Sequence, residues 1–136
     1  MRDCIAAEKV FRECYDLSGT PSRKLEVMFE ILLMNLEKVD LDALKTDMAT
    51  CKALVVDGAD WDKKNKLKVF EGTYLMLIRD FKKAAELLMS SIPTFTCSEL
   101  LDYKEFIFYA VIMGLMTQDR KTIKKEIIHS PDVLSV

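Results

Sequence analysis

Apolar residues recur every three or four positions along almost all of this chain, and that spacing admits little besides α-helix. A first stripe runs Ala7, Val10, Phe11, Cys14, Leu17, and a second Leu25, Met28, Phe29, Leu32, Leu36. A third holds Leu44, Met48, Cys51 and Val55, and a fourth Leu67, Phe70, Tyr74 and Leu77. Phe81, Ala84, Ala85 and Leu88 open a fifth helix that Pro93 closes. From Phe106 to Met116 the chain is apolar nearly all round, which predicts a sixth, centrally buried helix. A more polar seventh runs from about Asp119 to Ile128, with Pro131 helping to end it. Four glycines and three prolines in 136 residues are too few for the many turns of an all-β chain.

The punctuation agrees with this reading. In SGTP at 18–21, Gly19 suits the left-handed position after a helix, Thr20 a cap, and Pro21 a first turn. Asp40 is placed to cap the third helix, Gly58 to end it, and Asp60 to cap the fourth. Arg79–Asp80 makes a tight link, and Thr96 with Glu99 has the form of a capping box. The candidate caps Thr20, Asp60 and Thr96 recur at the period of helical-hairpin repeats. Gly72 and Ala84 have the separation of the small close-packing residues in tetratricopeptide (TPR) repeats, although that consensus Trp and Pro are unfilled. The expected fold is therefore all-α: a right-handed α-solenoid of antiparallel helix pairs, TPR-like, with about seven helices and one helical-repeat domain over 1–136.

Bulk properties narrow the function. Twenty basic against 22 acidic residues, a net charge of −2, give no electrostatic reason for nucleic-acid or membrane-surface binding. Cys4, Cys14, Cys51 and Cys97 are scattered, without a CxxC pair, and read as buried reduced thiols. MRDCIAAEKV is too charged for a signal peptide, and the longest uncharged run, Phe106 to Gln118, is shorter than the ~20 residues of a membrane helix.

No catalytic, cofactor-binding or metal-binding residue can be named. His129, the only histidine, sits in a polar tail and reads as exposed. One histidine with dispersed cysteines does not make a zinc site, and no phosphate loop, HExxH or GxSxG is present. Glu26 and Glu30 would meet across a turn, as a solvated face, and the methionines read as core filler.

The stretch DGADWDKKNKLKVFEG, residues 57–72, holds the one tryptophan and a lysine run. Trp61 is expected to wedge between helix pairs, with Lys63, Lys64, Lys66 and Lys68 turned outward. Those four lysines are the candidate partner-binding residues, for an acidic protein partner. A nucleic-acid grip would need more basic residues and stacking aromatics.

The blocks DWDKKNKLKV (60–69), IRDFKKAAELL (78–88) and TFTCSELLDYKEF (94–106) resemble the non-ATPase regulatory subunit 6 family of the 26S proteasome lid. The resemblance runs from about Ala7 to the end. It implies an arm of helical repeats that in the family precedes a PCI domain; the chain is expected to hold the repeat arm alone. It further implies a non-catalytic scaffold role in ubiquitin-dependent protein degradation, in cytoplasm and nucleus. The implied partners are other lid subunits, including a small acidic one, and the ATPase ring, with no cofactor or small-molecule substrate. Two alternatives are a paralogous COP9 signalosome subunit and a free-standing peptide-binding adaptor. The packed sixth helix expected above argues against the adaptor.

Overall fold

A computed structural model describes residues 4–56 and 60–135, side chains 4 and 5 excepted. Every regular element among them is helical: α1 (Cys4–Leu17), α2 (Pro21–Lys38), α3 (Leu41–Val56), α4 (Trp61–Leu77), α5 (Phe81–Ser91), α6 (Tyr103–Thr117), α7 (Arg120–Thr122) and α8 (Pro131–Leu134). A 3₁₀ turn, Ile92–Thr94, follows α5, and a π-helical stretch, Ile123–Ile128, follows α7. The fold is all-α and built of helical hairpins, and the chain divides into two compact units, residues 1–67 and 68–136.

In the first unit α2 supplies the core. Leu25, Met28, Phe29, Ile31 and Leu32 are buried against Leu44, Met48 and Cys51 of α3. α1 returns antiparallel along α2, with Glu8 near its start paired to Lys38 and Tyr15 near its end under Lys24. Its expected stripe is only half right. Ala7 and Phe11 are half-buried, whereas Val10, Cys14 and Leu17 are exposed.

Charge takes the place of apolar burial under α1. Arg12 donates from both terminal nitrogens to the buried Asp47 of α3, at 3.4 and 3.2 Å, and Asn35 of α2 donates to the same carboxylate at 2.9 Å. Asn35 and Asp47 are buried because each satisfies the other, which is the condition for polar groups inside a core.

In the second unit α5 is central. Ala84, Ala85 and Leu88 are fully buried, and Phe106, Ile107 and Ala110 of α6 join them. Gly72 of α4 is needed here for close approach: a Cβ would lie 2.6 Å from Cδ2 of Leu88. Gly114 of α6 similarly faces Met89 and Ile127. Phe95 stacks on Phe106 with centroids 4.4 Å apart.

The joints depart from expectation in an instructive way. Gly19 does not adopt the left-handed conformation; the end of α1 is closed by the Ser18 hydroxyl, which donates to the Cys14 carbonyl at 2.7 Å. The left-handed positions fall on Val39 (φ 57) and Arg79 (φ 64), 40 residues apart. Both complete a Schellman closure: Val39 and Asp40 donate to Leu36 and Asn35, and Arg79 and Asp80 to Met76 and Leu75. Each is followed by an aspartate whose carboxylate accepts a first-turn amide, Asp40 from Ala43 and Asp80 from Lys83. Thr20 does precede α2, but its side chain caps nothing.

TCSE makes no capping box either. The Cys97 carbonyl accepts from Leu100 and Leu101 in a turn, and α6 begins only at Tyr103. Pro131 opens α8 rather than simply ending what precedes it. The expectation for Gly58 lies outside the described residues.

Candidate interaction surface

The four lysines of α4 do not share one role. Lys63 reaches back to the first turn of α2, donating to the Ser22 carbonyl at 3.1 Å and to the Ser22 hydroxyl, and pairing with Glu26 at 2.7 Å. Its side chain is only 16% exposed, so the outward position expected of it is incorrect. Hydrogen bonding from Lys63 in turn holds the Glu26 carboxyl below its ordinary pKa. Lys66 lies over the Phe29 ring, 4.9 Å from its centroid, another inward placement. Lys68 is half-buried, and of the four only Lys64 is exposed.

The physical reason is that α4 is packed on more than one side. Asn65, Leu67, Val69 and Phe70 are all buried, so the lysine stems must lie along protein before their ammonium groups reach water or an anion. Asn65 is 3% exposed and its Nδ2 has no hydrogen-bond partner among the described residues. Trp61, expected to wedge between pairs, stands 62% exposed at the first residue of α4.

Of the cysteines whose side chains are described, Cys51 and Cys97 are buried as expected, whereas Cys14 is exposed, contrary to expectation, because α1 turns it away from α2. Burial, aided by the nearby Asp47 charge, pushes the Cys51 thiol up to about 12, which leaves it without nucleophilic thiolate near neutrality. His129 is exposed, and Glu30 stays on the solvent side. Among the described residues no three metal-ligating side chains cluster, and no helix is long and apolar enough to cross a membrane.

The larger surface feature was hidden in the sequence by its own apolarity. α6 is not buried all round. Phe106, Ile107, Ala110 and Gly114 face the core, while Phe108 (60%), Tyr109 (38%), Leu115 (56%) and Met116 (62%) are exposed, with Ile112 half-buried between them. Their spacing places all five on one face, about two turns long. No charge falls within it; Lys104 and Glu105 precede it and Asp119 follows. Those flanking charges are the signal that could have revealed the face, because Lys104 is one turn before Phe108, Glu105 one turn before Tyr109, and Asp119 one turn after Leu115. A contiguous apolar strip of this kind is a candidate protein-contact surface. Its exposure also removes the packed sixth helix as an objection to binding roles.

Comparison with known proteins places these features in a family context. A family model described as 26S proteasome subunit RPN7 matches residues 1–126. The chain is similar to a 26S proteasome non-ATPase regulatory subunit 6 from Dictyostelium discoideum, 36% identical over 130 residues, covering 96% of this chain and 34% of that protein. It is 40% identical over 114 residues to the subunit 6 homolog of Arabidopsis thaliana, covering 84% of this chain and 30% of the relative. With the regulatory subunit RPN7 of Saccharomyces cerevisiae it shares 32% identity over 130 residues, 96% of this chain and 30% of the relative. The chain thus spans about a third of the length of these relatives.

Proposed function

Since the chain belongs to the 26S proteasome subunit RPN7 family, we propose that it is a non-catalytic scaffold component of the proteasome lid, supporting ubiquitin-dependent degradation through protein–protein contacts in cytoplasm and nucleus. The observation that carries this reading is the family match, which runs through residues 1–126. Its relatives' names, a regulatory and non-ATPase subunit, favour a structural over a catalytic task. Residues 1–136 then act as one helical-repeat arm.

The outer face of α6 supplies the main contact of this arm. Its occupant is an apolar helix face of a neighbouring regulatory-particle protein, because the strip is uncharged along its length and bounded by charge only at its ends. Lys64 serves a second contact, with an acidic partner, and Lys68 contributes what its half-burial leaves accessible. Lys63 and Lys66 contribute by keeping α4 against α2.

The test is affinity purification of the tagged chain from cells, wild type against Leu115→Glu/Met116→Glu and Lys64→Glu/Lys68→Glu. Lid subunits and ATPases should co-purify with the wild type, strongly reduced with the α6 variant and more modestly with the lysine variant. Co-purification of COP9 signalosome subunits instead would assign the chain to that complex. Loss of a concentration-dependent dimer, with subunit capture unchanged, would make the α6 face a self-association surface and overturn its assignment.

A further inference from the structure

We infer that a cleft in the second unit, between α5, the end of α6 and the π-helical stretch, binds a basic side chain, arginine above all, presented by a peptide segment of a partner protein. The cleft has a volume of about 250 Å³ and is lined by Glu86, Met89, Ser90, Gln118, Thr122 and Glu126. That volume is below the ~300–1,000 Å³ of sites for drug-sized ligands and suits one long side chain. The inference stands on this cleft alone and does not depend on the lid reading.

Donor and acceptor accounting selects the ligand. The Ser90 hydroxyl donates to the Leu87 carbonyl at 2.8 Å, and the Thr122 hydroxyl donates to Asp119 Oδ1 at 2.5 Å. With their hydrogens committed, both oxygens can only accept from a ligand. Glu86 of α5 and Glu126 of the π-helical stretch add two carboxylates. Lys83, whose charge is felt by Glu86, pairs with Asp80 at 2.8 Å, and Glu126 meets Lys125 at 3.1 Å in a solvent-exposed pair that a bound guanidinium would replace.

Against this set of acceptors stands one donor. Gln118 Nε2 is buried and has no hydrogen-bond partner among the described residues. A ligand complementary to the cleft therefore carries several N–H donors, positive charge, an apolar stem to lie on Met89, and one carbonyl acceptor for Gln118. A guanidinium with five donors on an aliphatic stem, attached to a peptide carbonyl, meets all four requirements. Glu126 is carried on the π-helical stretch, a local geometry frequent at functional sites.

The test is an NMR titration of the isotopically labelled chain with N-acetyl-arginine amide, N-acetyl-citrulline amide and methylguanidinium. The arginine amide should give saturable shifts of the Gln118 side-chain amide and of the Ser90 and Thr122 backbone amides. Citrulline, the same shape without the charge, should bind at least about tenfold more weakly, in line with the strength of charge-assisted hydrogen bonds. Glu86→Gln/Glu126→Gln should weaken arginine amide by a similar factor. Gln118→Leu should weaken arginine amide but leave methylguanidinium, which has no carbonyl, unchanged. Non-saturable shifts, or equal affinity for arginine and citrulline, would overturn the proposal on the wild-type protein alone, whatever the variants do to folding.

Discussion

The two units solve the problem of packing helices with different chemistry. In residues 1–67 charge is added to the apolar α2–α3 core: Arg12 and Asn35 converge on Asp47, Lys38 holds Glu8, and Lys63 straps α4 to Ser22 and Glu26. In residues 68–136 they are fitted by shape, with Gly72 against Leu88, Gly114 against Met89 and Ile127, and Phe95 on Phe106. The difference teaches that one repeat pattern of apolar spacing can rest on two sources of cohesion. Charge depends on salt and pH, whereas close fit depends on volume.

The largest effect should come from breaking the fit. Leu88→Ala removes a fully buried side chain and should cost about 3 kcal/mol, measured by denaturant unfolding. Gly72→Leu should cost about 2 kcal/mol in the native background and clearly less with Leu88→Ala, since the new side chain then fills the vacated space. Simple additivity of the two would refute the direct contact.

Next comes the tied unit. Asp47→Ala strips Asn35 and Arg12 of their shared acceptor and leaves a buried amide unpaired, so a loss of about 2 kcal/mol is expected. Asn35→Leu/Asp47→Leu should recover much of it, because no buried amide is then unpaired and the part-exposed Arg12 keeps Glu8 and water. A smaller effect of opposite sign is expected at the joint: Val39→Gly should stabilise by about 1 kcal/mol, as glycine takes the left-handed conformation without steric cost and Val39 is 58% exposed.

The gentlest probe is the solvent. In about 1 M salt, where the Debye length is about 3 Å, hydrogen exchange of α1 amides should accelerate while α5 and α6 stay protected. Acid should act on α1 in the same direction. The Glu8 carboxyl is held below its ordinary pKa by hydrogen bonds from Lys38 and Arg12. A lowered folded value means that its contribution is in place above the ordinary glutamate range and is lost as pH falls through the folded value. Protection of α1 unchanged by acidification through that range would count against the Glu8 tie.

Much of this architecture was legible from spacing alone. Leu25, Met28, Phe29 and Leu32, Leu44 with Met48, and Ala84 with Leu88 are buried as their periodicity predicts, because each lies on a helix with one clear apolar face. The misreadings occur where that condition fails. α6 is apolar on both faces, so periodicity could not separate the core side from the solvent side. Lys63 is inward because Ser22 and Glu26, far away in sequence, receive it, a tertiary fact that the lysine run does not contain. Gly19 and TCSE have the composition of a helix end and a helix start, yet Ser18 closes α1 and α6 starts after Asp102, beyond the Cys97 turn. The outer apolar residues of α6 were thus present in the sequence, but their exposure was not.

The paired joints at Val39–Asp40 and Arg79–Asp80 have a mechanical consequence. For a residue with a Cβ the left-handed basin is small, confined to roughly 20–30° in each dihedral, whereas glycine has a broad one. A bend at either joint drives its valine or arginine out of that narrow well and strains two closing hydrogen bonds at once. Each hairpin corner is therefore a stiff spring with one rest angle. Force applied to one helix of the hairpin is passed to the other rather than absorbed in the turn, so these corners work as levers and not as tethers.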